Sequence, residues 1–426
     1  MQENNEIKRN IHMLVILSVK LSIKLSFERV ITMDKIKIGN SKFIKNLNQS
    51  SILRLINEYG PISRKELSEK TEYSAATISN HVKTLIEEGF VIEKEKGLSS
   101  GGRKPVFLTI NPNKGYIIGV DIEVSKVRIV SFNLKLKVEQ KIEFYIEKKN
   151  TPDDILEKIV DNIKKIMDKR NIDEYDLLGI GFAVPGLVNK DRDLLEFAPN
   201  LGWKEEKISE YMNEKFKVPI FVENEANAAG IGEKEFNYDK EINMVYVSIN
   251  EGIGCGLIFN GKLYRGASGN AGEFGHIIIE SESQRSCHCG NKGCWETLAS
   301  ENYIYDRYVE ITADKSLNID QIYEKIKDNK QNEEIIKLFK NVGENIGIGL
   351  ANIINSLSPD LMVIGGNILK IKEYLDPEIK KTINEKTLAL NYDKVEVKYS
   401  KLGELATVYG LAKIIFNKNM LVENRS

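Results

Sequence analysis

The sequence predicts an α/β protein: an N-terminal winged helix-turn-helix, then two α/β lobes with a cleft between them. Three observations carry this. Residues 48–110 read as helix, turn and helix, followed by two alternating strands around a basic tip. The remainder twice repeats a strand pair followed by helices. Within it, the glycine-rich stretch 269–300 holds three of the four cysteines, Cys287, Cys289 and Cys294, with His276 eleven residues before the first. A chain of 426 residues is too long for one small core. Net charge −1 excludes a polycation, and 42% hydrophobic with 29% charged residues reads as globular.

Residues 1–32 are read as an extension, either a mis-assigned start or a poorly ordered arm. The apolar run Ile11–Val19 is broken by Lys20 and Lys24, too short to span a bilayer, and no small-residue cleavage site follows it. Met33 offers a later start. The expectation is a cytoplasmic protein with no membrane partner. Cysteines in a ligand-spaced cluster point the same way, to metal in a reducing compartment rather than disulfides.

Residues 33–110 are assigned to DNA binding. Ile52, Leu53, Leu55 and Ile56 give one apolar helix face, which Gly60-Pro61 stops. Ser63 with Glu66 forms a capping box for a second helix, Arg64 to Lys70. Ser74 opens a third, Ala75 to Glu88, with Ile78, Val82, Leu85 and Ile86 inward. Its start and outer face carry Ser74, Ala76, Thr77, Ser79, Asn80 and Lys83, short hydrogen-bonding groups and a cation suited to base edges and phosphates. Strands Val91–Lys96 and Val106–Ile110 form the wing, whose Gly-Gly-Arg-Lys tip brings Arg103 and Lys104 to DNA. From 33 to 108 there are 13 Lys and Arg against 9 Asp and Glu, in a chain that is otherwise slightly acidic. A winged helix used only for protein contacts is the competing reading.

Residues 111–426 form the second part. Strands Tyr116–Asp121 and Val127–Val130 flank a turn, and a helix follows from Pro152 to Lys169 with Ile155, Ile159, Ile163 and Ile166 on one face. Strand Leu177–Val184 comes next. Asn200 and Trp203 then supply an amide and an aromatic face, the groups that hydroxyls and C–H faces of sugars prefer, although Trp203 fits a core equally well. Val218–Val222 leads into Asn224 and Glu225. Val245–Asn250, a glycine turn and Gly252–Ile258 precede the cysteine stretch. After it the chain is helical to Pro359. A strand at Leu361–Ile364 then ends in Gly365-Gly366, and a last helix, Ala406–Asn417, carries Gly410 where close packing is needed.

His276, Cys287, Cys289 and Cys294 make a complete tetrahedral Cys₃His set for structural Zn²⁺, with no position open for water. The metal would pin a glycine-rich loop and gather Glu273, His276 and Glu296 around it. His288 is a substitute ligand by type, but it is flanked by two cysteines and is expected to point outward.

Gly-Glu-Phe-Gly-His at 272–276, followed by Cys-x-Cys-Gly-x-x-Gly-Cys-x-Glu at 287–296, resembles the signature of the ROK family, which contains sugar-responsive repressors and sugar kinases. The resemblance covers about residues 47–416 and implies a two-lobed actin-like (ribonuclease H-like) ATPase/sugar-kinase fold. Ser63–Pro105 resembles the N-terminal domain of the repressor branch, which the kinases lack. Asn-Glu-Ala-Asn with Pro-Asn-Leu-Gly-Trp looks most like the xylose-repressor subgroup. By that resemblance the sugar contacts fall on Asn200, Asn224, Glu225, Glu273, His276 and Glu296. His276 would offer one ring nitrogen to zinc and the other to the sugar.

Two departures from the family's kinases bear on activity. Their first phosphate turn reads Asp-x-Gly-Gly-Thr, whereas this chain has Asp121-Ile122-Glu123-Val124-Ser125. Glu123 would repel a polyphosphate, and Val124 would block close backbone approach. Their general base is the Asp of Asn-Asp-Ala-Asn, and Glu225 stands there instead, one methylene longer. The second glycine turn and Gly365-Gly366 are intact. The expectation is therefore a non-enzymatic, sugar-responsive repressor, a homodimer on a palindromic operator, with xylose as first candidate effector. The alternative is an ATP-dependent ROK sugar kinase of glucokinase type, or a bifunctional kinase and regulator. A zinc-stabilised DNA-binding protein without effector is the third.

Overall fold

The computed structural model describes residues 41–95, 106–147, 149–189, 194–239, 241–328, 332–388 and 394–420. The extension at 1–32 and the wing tip with Arg103 and Lys104 lie outside them. Among the described residues no helix is long and apolar enough to cross a membrane.

The N-terminal part contains α1 (Ser41–Tyr59), β1 (Ile62–Ser63), α2 (Arg64–Glu69), α3 (Ala75–Glu87), β2 (Val91–Glu95) and β3 (Val106–Ile110), the strands forming one antiparallel sheet in the order β1-β3-β2. The Ser63–Glu66 capping box forms, and Ser74 caps α3 by accepting the Thr77 N–H. Ile78, Val82 and Leu85 are buried against Ile52, Ile56, Leu67 and Leu108. Ile86, expected inward, is half-buried and packs against the edge of this cluster.

The first lobe is built from β4 (Tyr116–Ile122), β5 (Lys126–Asn133), β6 (Val138–Tyr145), α4 (Pro152–Arg170) and β7 (Leu177–Val184). A small flap of β8 (Leu187–Val188), β9 (Leu195–Ala198) and β10 (Trp203–Glu206) follows, then α5 (Ile208–Lys215) and β11 (Ile220–Asn224). Its main sheet runs β11-β7-β4-β5-β6, parallel across β11, β7 and β4 and antiparallel at β4-β5-β6. β4, β5 and β7 are covered on both faces, which is why they read as apolar runs rather than alternation.

The second lobe adds α6 (Glu225–Asn237), β12 (Met244–Ile249), β13 (Ile253–Phe259), β14 (Lys262–Leu263), α7 (Glu296–Ala299), α8 (Glu301–Thr312) and α9 (Ile319–Asp328). Then come α10 (Glu333–Leu357), β15 (Leu361–Gly365), α11 (Lys372–Lys386), β16 (Glu396–Tyr399) and α12 (Ala406–Met420). The sheet order is β14-β13-β12-β15-β16. Helices α6 and α12 cross between the two sheets at very short range. A Cβ on Gly410 would lie 1.7 Å from the Ala228 carbonyl oxygen, so no larger residue fits there. On either side of Gly410 along α12, Val408, Ala412, Ile415 and Phe416 join the same buried cluster as Ile52 and Leu53 of the winged helix. The DNA-binding part and the first lobe thus share a core instead of hanging on a free linker.

Candidate functional site

A cavity of about 400 Å³ opens between the lobes, within the usual range for small-molecule sites. The six residues carried over as sugar contacts all line it, although they come from four separate segments. Asn200 follows β9, Asn224 and Glu225 sit at the β11–α6 junction, Glu273 and His276 lie on the loop after β14, and Glu296 opens α7. Gly252, in the turn between β12 and β13, leaves the space: a Cβ there would stand 3.0 Å from both Asn200 Nδ2 and Glu296 Oε2.

Asn224 is largely committed to the fold. Its Oδ1 accepts from the Ala226 and Asn227 N–H groups at 2.9 and 3.1 Å, capping α6, while Nδ2 donates to the Gly186 carbonyl at 3.0 Å. One amide hydrogen remains for a ligand. Trp203 is 3% exposed in the first-lobe core, which decides its role: it supports the flap from behind and offers the cavity no aromatic face.

The cavity is acidic. Glu223, Glu225, Glu251, Glu273 and Glu296 line it, and among the described residues no lysine or arginine does. Burial holds the Glu225 carboxyl well above the ordinary range, and the nearby Asp121, Glu123 and Glu251 carboxylates add to the effect. Burial raises Asp121 to about 7, with Glu123 adding to it against the pull of Arg128 and Lys126. Glu123, expected to face a polyphosphate as a bare charge, instead turns inward at 6% exposure. There it accepts from Arg128 Nη1 at 2.9 Å and pairs with Lys126 at 3.4 Å. The strand pair returns Arg128 directly beneath the turn, and its guanidinium also takes Asp121 Oδ2 at 3.1 Å. Val124 does line the cavity. The neighbouring Ser125 hydroxyl donates to Glu251 Oε1 at 3.1 Å, bridging the two lobes.

A further buried acid lies behind the second glycine turn. Glu301, 2% exposed, accepts from Tyr323 at 3.0 Å and from Asn367 at 3.2 Å, and burial lifts it to about 8. The folded protein therefore keeps a proton that the unfolded chain releases near its ordinary 4.5. The stability this gives is complete below that value and is lost as pH rises through about 8. Wild type should lose up to about 1.4 kcal/mol per pH unit across that window relative to Glu301→Gln. Thermal melts of both proteins from pH 5 to 8.5 check it; parallel slopes would refute it.

The ligand atoms of His276, Cys287, Cys289 and Cys294 all lie within 4.8 Å of one another, a cluster able to hold a metal ion. His276 Nδ1 is 3.4 Å from Cys287 Sγ, and its Nε2 is 3.8 Å from Glu273 Oε2, so the two ring nitrogens face the thiols and the cavity respectively. Glu296 Oε1 accepts from the Cys287 thiol at 2.9 Å. His288 is exposed and stands outside the donor cluster, but instead of pointing away it lines the cavity. Trp295 was not singled out from sequence, yet it anchors the cluster. Its indole N–H donates to the Asn345 carbonyl at 2.9 Å, and its ring packs flat on α10, where a Cβ on Gly349 would be 2.0 Å away.

On the winged helix, Ser74, Ala76, Ser79, Asn80 and Lys83 are exposed. Thr77 is half-buried, its hydroxyl 2.9 Å from that of Ser74, so these two first hold the start of α3. Lys83 sits 3.8 Å from Glu87, an exposed pair worth little and readily exchanged for a phosphate. Arg64 Nη2 donates to Glu93 at 2.7 Å, tying α2 to the wing strand β2.

A winged helix fused to a two-lobed, sugar-kinase-like body with a Cys₃His cluster is thus the class that fold and site define. The chain belongs to the ROK family, whose family model matches residues 117–418, and a winged helix-turn-helix DNA-binding model matches residues 45–92. It is 35% identical to the xylose repressor of Bacillus spizizenii over 381 residues, 89% of this chain and 97% of that one. It is 29% identical to the transcriptional dual regulator NagC of Escherichia coli, over 89% and 94% of the two chains. Among solved structures it resembles a ROK family transcriptional regulator, a homologue of E. coli MLC protein, with TM-score 0.73, 27% identity and 88% and 96% coverage. A ROK family glucokinase from Streptomyces griseus shares the fold of the lobes, with TM-score 0.62, 24% identity, 70% of this chain and 99% of that one.

Proposed function

We propose that the protein is a sugar-responsive transcriptional repressor of carbohydrate-utilisation genes, with xylose as effector. The observation that carries this is the joining of an exposed small-polar helix face, through a shared core, to an acidic cavity between two lobes. Five cavity glutamates without a lysine or arginine suit an uncharged, hydroxyl-rich ligand and oppose phosphate-bearing ones. The similarity to xylose repressors spans nearly the whole chain. A dimer would present two copies of α3 to successive major grooves of a palindromic operator. Sugar releases DNA only as far as it binds one lobe arrangement better than the other.

Zinc is the proposed occupant of the cysteine cluster, since three thiols and an imidazole suit it better than a hard cation. His276, Cys287, Cys289 and Cys294 would hold it, leaving His276 Nε2 and Glu273 toward the sugar. Bound there, it would supply no chemistry beyond fixing the loop.

The protein is further proposed not to be a kinase. Val124 narrows the phosphate turn, the Ser125–Glu251 bond spans the lobes beside it, and Glu225 is one methylene longer than the aspartate base of the family's kinases. Coupled ATP turnover with xylose or glucose, abolished by Glu225→Gln, would overturn this.

Mobility shift on DNA from upstream of the protein's own gene tests the main reading. A specific complex that xylose dissolves is expected. Lys83→Ala should weaken it about tenfold across sequences and lower the salt slope by about 1. A complex untouched by xylose would overturn the effector, and no specific complex at moderate salt would overturn the repressor.

A further inference from the structure

Glu223 lies under the cavity at the end of β11, in the first lobe, and is 4% exposed. Its Oε1 accepts from the Asn224 backbone N–H at 3.2 Å and from Asn227 Nδ2 at 3.3 Å. Its Oε2 accepts from Arg265 Nη2 at 2.5 Å. Arg265 belongs to the other lobe. It follows β14 and opens the loop that carries Asn270, Glu273 and His276 into the site.

That loop turns on Gly266, Gly269 and Gly272, whose φ of 70°, 97° and 100° glycine reaches without strain, and Gly272 lies against the Cys255 carbonyl. Its root is fixed twice at Arg265, whose carbonyl accepts the Ala271 N–H at 2.9 Å while its guanidinium grips Glu223. A single carboxylate therefore holds the β11–α6 junction on one side and the base of the glycine loop on the other. It also turns Asn227, a cavity-lining residue 5% exposed, whose Oδ1 has no partner among the described residues and is left to accept from a hydroxyl.

We propose that Glu223 and Arg265 are positioning residues of the effector site: their ion pair sets the gap between the Asn224–Glu225 edge and the Glu273–His276 edge. One sugar ring then touches both lobes at once. This rests on the reading that the sugar binds in the cleft. Planarity of the guanidinium makes the gap reproducible, which a flexible ammonium achieves less well.

The test is xylose titration of the full-length protein on its operator DNA, with sugar binding followed in parallel by calorimetry. Arg265→Gln and Glu223→Gln are each expected to raise the half-release concentration about tenfold or more, leaving sugar-free operator affinity and metal content unchanged. Arg265→Lys should recover part of the loss. The double variant should be no worse than either single one, as for two residues acting through one interaction. A merely structural role would lower operator affinity, metal content and melting temperature together, and that result overturns the proposal. So does an unchanged half-release concentration, or strictly additive losses. If Arg265→Gln does not fold, Arg265→Lys and Glu223→Gln still decide between these outcomes. A wild-type control that neither binds nor responds to xylose overturns xylose as the effector, the reading on which this rests, and the positioning role for it falls as well.

Discussion

Stripping the metal from the cysteine cluster should unfold the effector site and leave a protein that melts about 10–20 °C lower. The expected loss is about 5 kcal/mol, less than the about 10–16 kcal/mol of isolated zinc-finger peptides, because the surrounding lobe supports its own core. The stretch from Glu280 to Cys294 has little regular structure: two isolated bridges, Ile278 with Cys294 and Ser286 with Lys292, and a few turn hydrogen bonds. Without a central ligand, His276 and Glu296, which flank Cys287 at 3.4 and 2.9 Å, would be held together mainly by two backbone bonds, Trp295 to Ile277 and Ile279 to Gly293, leaving the Cys287–Cys289 turn unpinned. Cys294→Ser should behave like chelation, since Cys294 is fully buried and its thiol has no route to solvent compensation. Elemental analysis of purified protein should return one zinc per chain, falling toward zero in the variant. Full thermal stability and full xylose response in metal-free protein would sink the structural role.

The second large effect concerns Glu273. Replacing it with Ala should raise the xylose concentration for half-release about 10- to 100-fold while leaving operator affinity without sugar unchanged. The magnitude follows from losing hydrogen bonds between a carboxylate and sugar hydroxyls, about 1.5–3 kcal/mol, at about 1.4 kcal/mol per tenfold. Glu273 separates sugar binding from metal binding more cleanly than its neighbours do. Glu296 accepts the Cys287 thiol and His276 is itself a ligand, whereas Glu273 meets only the cavity-side nitrogen of His276, at 3.8 Å. Its side chain is 46% exposed, so its removal leaves no buried void. Calorimetric xylose binding together with gel shift checks the prediction. Undiminished affinity would remove Glu273 from the effector site.

Local rules made the elements legible. The Ser63–Glu66 capping box, the isoleucine stripe of α4 and the apolar runs of β4 and β7 each follow from interactions within a few residues, and all form in the structure. The metal cluster was legible for a similar reason, since three of its four donors fall within eight residues and chelation geometry restricts their arrangement. The short flap β8–β10 and the edge strands β14 and β16 were not legible, because runs of two to four residues establish no period, whereas β6 went unread although Ile142 and Phe144 alternate with exposed neighbours.

What the sequence by itself determined is therefore the order of parts, the donors of the cluster and the residues at each segment's functional end. Tertiary structure alone decided which of those ends meet. Glu223 finds Arg265 42 positions later, and Arg128 turns Glu123 from an expected phosphate-facing charge into a buried partner. Trp203 goes to the core while Asn200 reaches the cavity. Long-range ion pairs and the choice between core and cavity depend on how two sheets and the helices between them close on one another. No periodicity or spacing along the chain encodes that closure.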